Sequence, residues 1–197
     1  MTNEKKGTMS NLILGAVSKN IQNALVSIDF SKMDKESNVQ QAFSEIIDIE
    51  NKREVIIPAL ALIGDLGDEE WKIDDVLKVD TPIGVVFIPI EIKYHGKELS
   101  SRGFIEDALC DQEKLANIVR QYDDVLMGAE VFITFDQDEA SLWENRYHAG
   151  SWCNYYRFTL NDGYVAYVAA IQISCMVNQS KPQPSEDSIF ASKYNEA

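Results

Sequence analysis

The sequence is poor in cysteine and histidine and has no long apolar run, and each shortage excludes a class of protein. The three cysteines, Cys110, Cys153 and Cys175, lack the spacing of a zinc site or a disulfide framework, so we interpret them as reduced, buried thiols. No stretch reaches the ~20 apolar residues of a membrane-spanning helix. The N-terminal residues carry only a very short apolar run, unlike a secretory signal. We therefore expect a soluble, cytoplasmic protein.

Basic residues are also scarce. The chain contains 18 Lys and Arg against 32 Asp and Glu, which gives a formal net charge of −14. Proteins that bind nucleic acid without sequence preference usually carry a basic surface, so this balance argues against that class. An enzyme with a metal-loaded site is still compatible with it, because a bound cation changes the local field.

The length and composition predict one folded unit. With 197 residues, 45% of them hydrophobic, the chain is long enough to bury a core of its own. We predict a single globular domain over residues 1–178. The polar C-terminal segment, residues 179–197, is predicted to form a flexible tail.

The apolar periodicity predicts both helices and strands. Helical spacing covers 10–28, 39–50 and 104–125, and strand-like runs cover 71–79, 85–94 and 129–135. Residues 54–64 are compatible with a strand or a buried helix, although Pro58 disfavours a central strand. Aromatic and β-branched runs on both sides of Asn161-Asp162-Gly163 predict an added C-terminal β-hairpin. We predict an α/β (α+β) fold with a central mixed β-sheet flanked by helices.

One short stretch, "FIPIEIKY", combines an apolar run with two charges. Glu91 and Lys93 are separated by one residue, so in a strand both side chains project from the same face. Burying two charges is costly unless they are paired or bind a metal. The stretch therefore predicts an interior strand whose end opens onto a cleft. The alternative is a solvated strand end with an incidental ion pair.

A second carboxylate is expected beside this pair. The runs 71–79 and 85–94 are predicted to form an antiparallel hairpin, in which Asp75 can face Glu91 across the ladder. Two oxygen ligands at that spacing suit a hard cation such as Mg²⁺ or Mn²⁺. Lys93 would then stabilise negative charge on a phosphorane or help to deprotonate a water. An exposed strand charge is the alternative interpretation of Asp75.

These residues resemble the PD-(D/E)XK nuclease superfamily, in which an aspartate on one strand precedes an E-x-K pair on the next. The resemblance implies a restriction endonuclease-like core over residues 39–136 and Mg²⁺- or Mn²⁺-dependent phosphodiester hydrolysis. It implies nucleic acid, with DNA expected first, as the substrate, and Asp75, Glu91 and Lys93 as catalytic residues. The family's proline just before the aspartate is absent here, since Ile73 and Asp74 precede Asp75. Asp74 takes the role of Asp75 if the strand register is shifted by one residue.

Further residues are candidates for supporting roles. Glu45, on the second predicted helix, is a candidate acidic metal ligand. Gln112 interrupts the apolar face of the third predicted helix, and a buried amide needs partners. Candidates for substrate binding are Gln112, Lys97, Arg102 and Lys114, with Asp111 a further site candidate. His95 is interpreted as a loop histidine or as a phosphate contact.

A second class of function is compatible with the same composition. The net charge of −14 can mimic a phosphate backbone or complement a basic partner. The alternative is therefore a non-catalytic acidic interaction protein, such as a nucleic-acid mimic, an inhibitor or an immunity-type partner. Its surface would include the acidic stretch from Asp65 to Asp80. A protein partner or a homodimer is compatible with either function.

Overall fold

A six-stranded β-sheet forms the centre of the chain in a computed structural model, which describes residues 3–58, 70–82, 84–97, 104–122, 124–149, 153–171 and 189–196. The strands are β1 (Asn51–Pro58), β2 (Glu70–Thr81), β3 (Gly84–His95), β4 (Gly128–Thr134), β5 (Cys153–Thr159) and β6 (Val165–Ile171). The helices are α1 (Asn3–Ser27), α2 (Glu36–Ile46), α3 (Phe104–Gln121), α4 (Gln137–Ala149) and α5 (Ile189–Asn195).

The strand order in the sheet is β1-β2-β3-β4-β6-β5. The first three strands form an antiparallel meander, and β3 and β4 are parallel neighbours connected through α3. Strands β4, β6 and β5 complete the sheet in antiparallel pairs. The predicted mixed sheet with flanking helices is therefore confirmed.

Both faces of the sheet are covered, which explains why the central strands are apolar throughout. On one face, α1 and α2 pack on a cluster that includes Ile88, Ile90 and Ile92 of β3. On the other face, α3 and α5 pack over Phe87, and α3 and α4 pack over Phe132. Alternate residues of β3 therefore contribute to opposite layers of the core.

The ambiguous run 54–64 begins as a strand. Strand β1 is an edge strand and ends at Pro58, a position where the missing amide hydrogen of proline is tolerated. The rest of the run, 59–64, lies outside the described residues. Glu54 has a φ of 55°, and beyond it Val55 and Ile57 pack against the cluster under α3 and α5.

The segment 136–152, which has no clear apolar period, contains the helix α4. Its start is fixed by Asp136, whose Oδ1 accepts hydrogen bonds from the backbone amides of Asp138 at 2.8 Å and Glu139 at 3.2 Å. The hairpin around Asn161-Asp162-Gly163 is confirmed. Asp162 and Gly163 adopt positive φ values of 61° and 83°, the conformation that such a turn requires.

Part of the predicted C-terminal tail is ordered and packed. Within residues 179–197, α5 lies against β1 and buries Phe190 and Tyr194. The Phe190 ring is 5.6 Å from the ring of Phe87 and 5.2 Å from that of Tyr122. The structure therefore differs from the prediction of a flexible tail over these residues, because two aromatic anchors four positions apart share one helix face.

We expect Phe190→Ala to lower the free energy of unfolding by about 3 kcal/mol, since it removes a fully buried ring from a cluster under α3. Urea denaturation followed by circular dichroism measures the change. Leu142→Ala on α4 is the control, because Leu142 is 47% exposed. A loss in Phe190→Ala no larger than that of the control would show that α5 does not support the fold.

Candidate active site

The candidate site lies where β2 and β3 separate. Among the described residues, the ladder between these strands ends at the pair Asp75–Ile90. Toward Glu70, β2 continues along β1, and toward His95, β3 continues along β4. The two strands therefore form a V-shaped opening, and the edge of β3 that faces it presents backbone groups that need partners.

Side chains supply those partners. The Oδ2 atom of Asp74 accepts a hydrogen bond from the Ile92 amide at 2.8 Å, and Oε2 of Glu36 accepts one from the Tyr94 amide at 3.1 Å. The Gln40 side-chain amide donates to the Ile92 carbonyl at 3.5 Å. Carboxylates therefore replace the missing strand, and the fold itself places them in the cleft.

Two lysines lie among these carboxylates. The Lys93 Nζ atom is 3.0 Å from Asp111 Oδ2 and 3.6 Å from Glu36 Oε1. The Lys114 Nζ atom is 2.7 Å from Glu91 Oε1 and 3.3 Å from Asp111 Oδ1. Helix α3 crosses over this end of the cleft and contributes Asp111 and Lys114, which are one helical turn apart.

The cluster has an excess of negative charge in a largely buried space. Burial raises the pKa of Glu91 well above its usual range, and the nearby charge of Asp74 adds to the effect. Burial also raises the pKa of Asp74 and of Glu36. Four carboxylates share the cleft with two ammonium groups: Glu36, Asp74, Glu91 and Asp111 against Lys93 and Lys114.

Both lysines are positively charged at neutral pH. Burial alone would lower the pKa of Lys93, but the charges of Asp111 and Glu36 outweigh it and raise that pKa. The same balance raises the pKa of Lys114, where Glu91 is the main charged neighbour. A permanently charged ammonium suits stabilisation of negative charge, whereas a general base needs a pKa near the working pH.

The expectation that Asp75 faces Glu91 is wrong. Asp75 pairs in register with Ile90, whose side chain points to the layer of α1 and α2, so Asp75 projects away from the Glu91 face. The neighbouring residue, Asp74, faces the cleft and hydrogen-bonds β3. The register is shifted by one residue from the predicted one, and this exchanges the two aspartates between faces.

The environment of Asp75 is that of a buried carboxyl. It is 1% exposed and lies beside Ser44 and Arg53. Burial raises its pKa from 3.8 to about 6, against the smaller opposite effects of the Ser44 hydroxyl and the Arg53 charge.

The remaining predicted residues have different positions. Glu45 is exposed on α2, where its Oε1 accepts from the Gln41 amide at 2.9 Å. It lies nine positions after Glu36, half a rotation around the helix, and therefore on the side away from the cleft. Lys114 and Asp111 are in the cleft. Arg102 lies outside the described residues.

Gln112 and Lys97 are not in the ion cluster. The Gln112 amide donates to Glu130 Oε2 at 2.5 Å, which provides the partner that a buried amide needs. Glu130 is in register with Glu91 on the neighbouring strand. Lys97 follows the end of β3, where its Nζ is 4.5 Å from the centroid of the Phe135 ring.

His95 is a buried strand residue. Its Nδ1 is 2.5 Å from Glu139 Oε2, which also accepts a hydrogen bond from the Thr134 hydroxyl at 2.9 Å. Its ring is 5.1 Å from that of Phe104. The interpretation as a loop histidine is therefore wrong, and the side chain links β3 to α4.

Sequence reasoning missed Glu36 and Glu130. Glu130 had a signal, because it is the one charged residue in the otherwise apolar run of β4. Glu36 had a weaker one. It lies in the first turn of α2, where acidic residues are favoured, but the helix was predicted to begin at residue 39.

The donor set fits a hard divalent cation in kind. Carboxylate oxygens are the usual ligands of Mg²⁺, and Asp74 and Glu91 bring two carboxylates from neighbouring strands to the same cleft. Glu91 Oε1 is buried without an aligned hydrogen bond, although an ammonium lies 2.7 Å away. Within the described ranges, no three His, Cys, Asp or Glu side chains are gathered into one metal-binding group.

The acidic stretch from Asp65 to Asp80 does not form a continuous acidic surface where it is described. Residues 65–69 lie outside the described part. In β2, Asp74 and Asp75 are largely buried on opposite faces of the sheet, whereas Glu70 and Asp80 are exposed. Because Asp74 and Asp75 are largely buried, the strand offers less exposed negative charge to a protein partner.

Comparison of the chain with family models, with curated proteins and with solved structures gives no match. In the part of the chain that the structure describes, no helix is long and apolar enough to cross a membrane.

We expect Asp75→Asn to stabilise the fold above pH 6. Because the pKa of Asp75 is about 6 in the folded chain and 3.8 ordinarily, its contribution to stability falls as the pH rises from about 4 to about 6. Over that range the wild type loses about 3 kcal/mol that the amide variant keeps. Urea denaturation from pH 4 to pH 8 measures the difference between the two proteins.

Asp80→Asn on the same strand is the control. Asp80 is exposed, so the replacement of its carboxylate should change the free energy of unfolding little. Equal stabilities of Asp75→Asn and wild type at pH 8 would contradict the account of Asp75 as a buried charge.

Proposed function

We propose that the protein is a divalent-metal-dependent nuclease of the PD-(D/E)XK type. One observation carries the proposal: Asp74 and Glu91, from separating neighbouring strands, face the same cleft as Lys93. This is the arrangement that the E-x-K pattern predicts, with Asp74 in the place first given to Asp75.

The order of elements supports the same proposal. A helix, an antiparallel meander, a helix and a parallel strand follow one another as α2, β1–β2–β3, α3 and β4. This order agrees with a restriction endonuclease-like core over residues 39–136. The hairpin of β5 and β6 extends that core beyond β4.

Each residue of the cleft has a distinct part in the proposed reaction. Asp74 and Glu91 would hold Mg²⁺ or Mn²⁺, which supplies Lewis-acid activation of water and of the scissile phosphate. Lys93 is held between Asp111 and Glu36 and stays protonated, so it stabilises negative charge on the phosphate in the transition state. This assigns Lys93 the electrostatic role rather than that of a base.

The proposed substrate is nucleic acid, with DNA as the first candidate. A net charge of −14 repels a polyanion. Productive binding therefore needs positive charge from the bound ion, from a basic protein partner or from a second copy of the chain. Lys97 with the partly exposed ring of Phe135 is a candidate contact near the ends of β3 and β4.

We expect Asp74→Asn, Glu91→Gln and Lys93→Met each to lower Mg²⁺-dependent cleavage by at least about a hundredfold, because each removes a charge that acts on the transition state. Cleavage of supercoiled plasmid, single-stranded DNA and RNA with Mg²⁺ or Mn²⁺ measures the rates. The three substrates in parallel identify the substrate class.

Asp75→Asn is the matched control, since it makes the same change one residue away on the opposite face. It should retain activity within a fewfold of the wild type. Equal activity in all four variants and the wild type would rule out this site. Loss of activity in Asp75→Asn together with full activity in Asp74→Asn would return the catalytic role to Asp75.

A further inference from the structure

The Lys114 ammonium occupies a site built of oxygen atoms. Its Nζ is 2.7 Å from Glu91 Oε1 and 3.3 Å from Asp111 Oδ1, and it donates to the Lys72 carbonyl at 3.1 Å. These oxygens come from β3, α3 and β2. Two carboxylates and a backbone carbonyl are also the donors that a hard metal cation selects. The ammonium therefore stands where such a cation would find ligands.

The position conflicts with full coordination of a metal by Glu91. The Glu91 side chain is almost completely buried, and its Oε1 lies against the Lys114 ammonium. An Mg²⁺ ion bonds to carboxylate oxygen at about 2.1 Å. A cation at that distance from Oε1 would clash with the Lys114 ammonium and would also be repelled by its positive charge. While Lys114 stays in place, only part of the Glu91 carboxylate is available.

Lys93 is not in the same position. Its ammonium contacts Glu36 and the Oδ2 atom of Asp111, whereas Lys114 contacts the Oδ1 atom of Asp111. The two lysines therefore share Asp111 but differ in their second carboxylate, which is Glu36 for Lys93 and Glu91 for Lys114. Lys114 alone is paired directly with Glu91 among the ion pairs of the described residues.

We propose that Lys114 is an internal cation that competes with the divalent ion for Glu91. It neutralises the buried carboxylate when no metal is bound, and it leaves the Glu91 oxygen when the ion enters. Its long side chain can turn toward Asp111, which remains as its partner. The inference rests on the proposed metal-dependent function. It adds that Lys114 lowers the affinity of the site for the divalent ion.

The test is binding of Mn²⁺ alone, measured by calorimetry and by the electron paramagnetic resonance signal of free Mn²⁺. We expect Lys114→Met to bind Mn²⁺ at least about tenfold more tightly than the wild type, because it removes a positive charge from beside the ion. In EDTA the same variant should melt at a lower temperature than the wild type, and Mn²⁺ should restore the loss.

Two further variants make the comparison specific. Lys78, on β2, forms an ion pair with Glu50 outside the cleft. Lys78→Met removes the same charge there, and its Mn²⁺ affinity should match that of the wild type. Lys114→Gln is a second neutral variant whose amide can still donate to Glu91, for use if Lys114→Met does not fold. Glu91→Gln should abolish the binding in every background.

The outcomes separate the two proposals. Equal or weaker Mn²⁺ binding by both Lys114 variants, with binding lost in Glu91→Gln, would overturn the competition and leave the metal site intact. Binding by the Lys114 variants but not by the wild type would support the competition and overturn metal-dependent cleavage by the natural chain. No binding by any variant, with no effect of Mn²⁺ on melting, would overturn both.

Discussion

The structure of the cleft depends on the need of backbone amides for hydrogen-bond partners. Where β2 leaves β3, the amides of Ile92 and Tyr94 lose the strand that would have accepted from them. Asp74 and Glu36 accept instead. Because a buried amide without an acceptor costs about 1–3 kcal/mol, this arrangement is strongly favoured. The same two hydrogen bonds bring acidic side chains to one place, and the electrostatics of the site follow from them.

Much of the fold could be predicted from the sequence, because its strands are long apolar runs and its two C-terminal strands flank a strong turn signal. The E-x-K pair could be recognised because its two charges follow directly on one of these apolar runs. The register of the hairpin could not be predicted securely. Thr81 pairs with Gly84, so the turn contains two residues, and a turn one residue longer would have faced Asp75 toward Glu91.

Contacts between distant parts of the chain were harder to predict. Glu36 reaches the amide of Tyr94 across 58 positions, and its role depends on how α2 packs on the sheet. Periodicity identifies the apolar face of a helix but does not determine its angle on a sheet. Glu130 was visible as a charge in an apolar strand, yet its pairing with Gln112 needed the position of α3. Local patterns thus predicted the strands of the site, and packing determined its acidic neighbours.

The hydrogen bonds of Asp74 and Glu36 to the β3 backbone have an evolutionary consequence. Asp74 and Glu36 satisfy main-chain groups, so selection for a folded protein alone would retain them. The Lys93 ammonium contacts side-chain carboxylates, and replacing it would leave the strand edge intact. If the proposed cleavage were lost in a lineage, Lys93 would be retained only for its ion pairs with Asp111 and Glu36. Under the proposed nuclease function, whether a descendant keeps Lys93 is therefore a better mark of retained cleavage than whether it keeps Asp74 or Glu36.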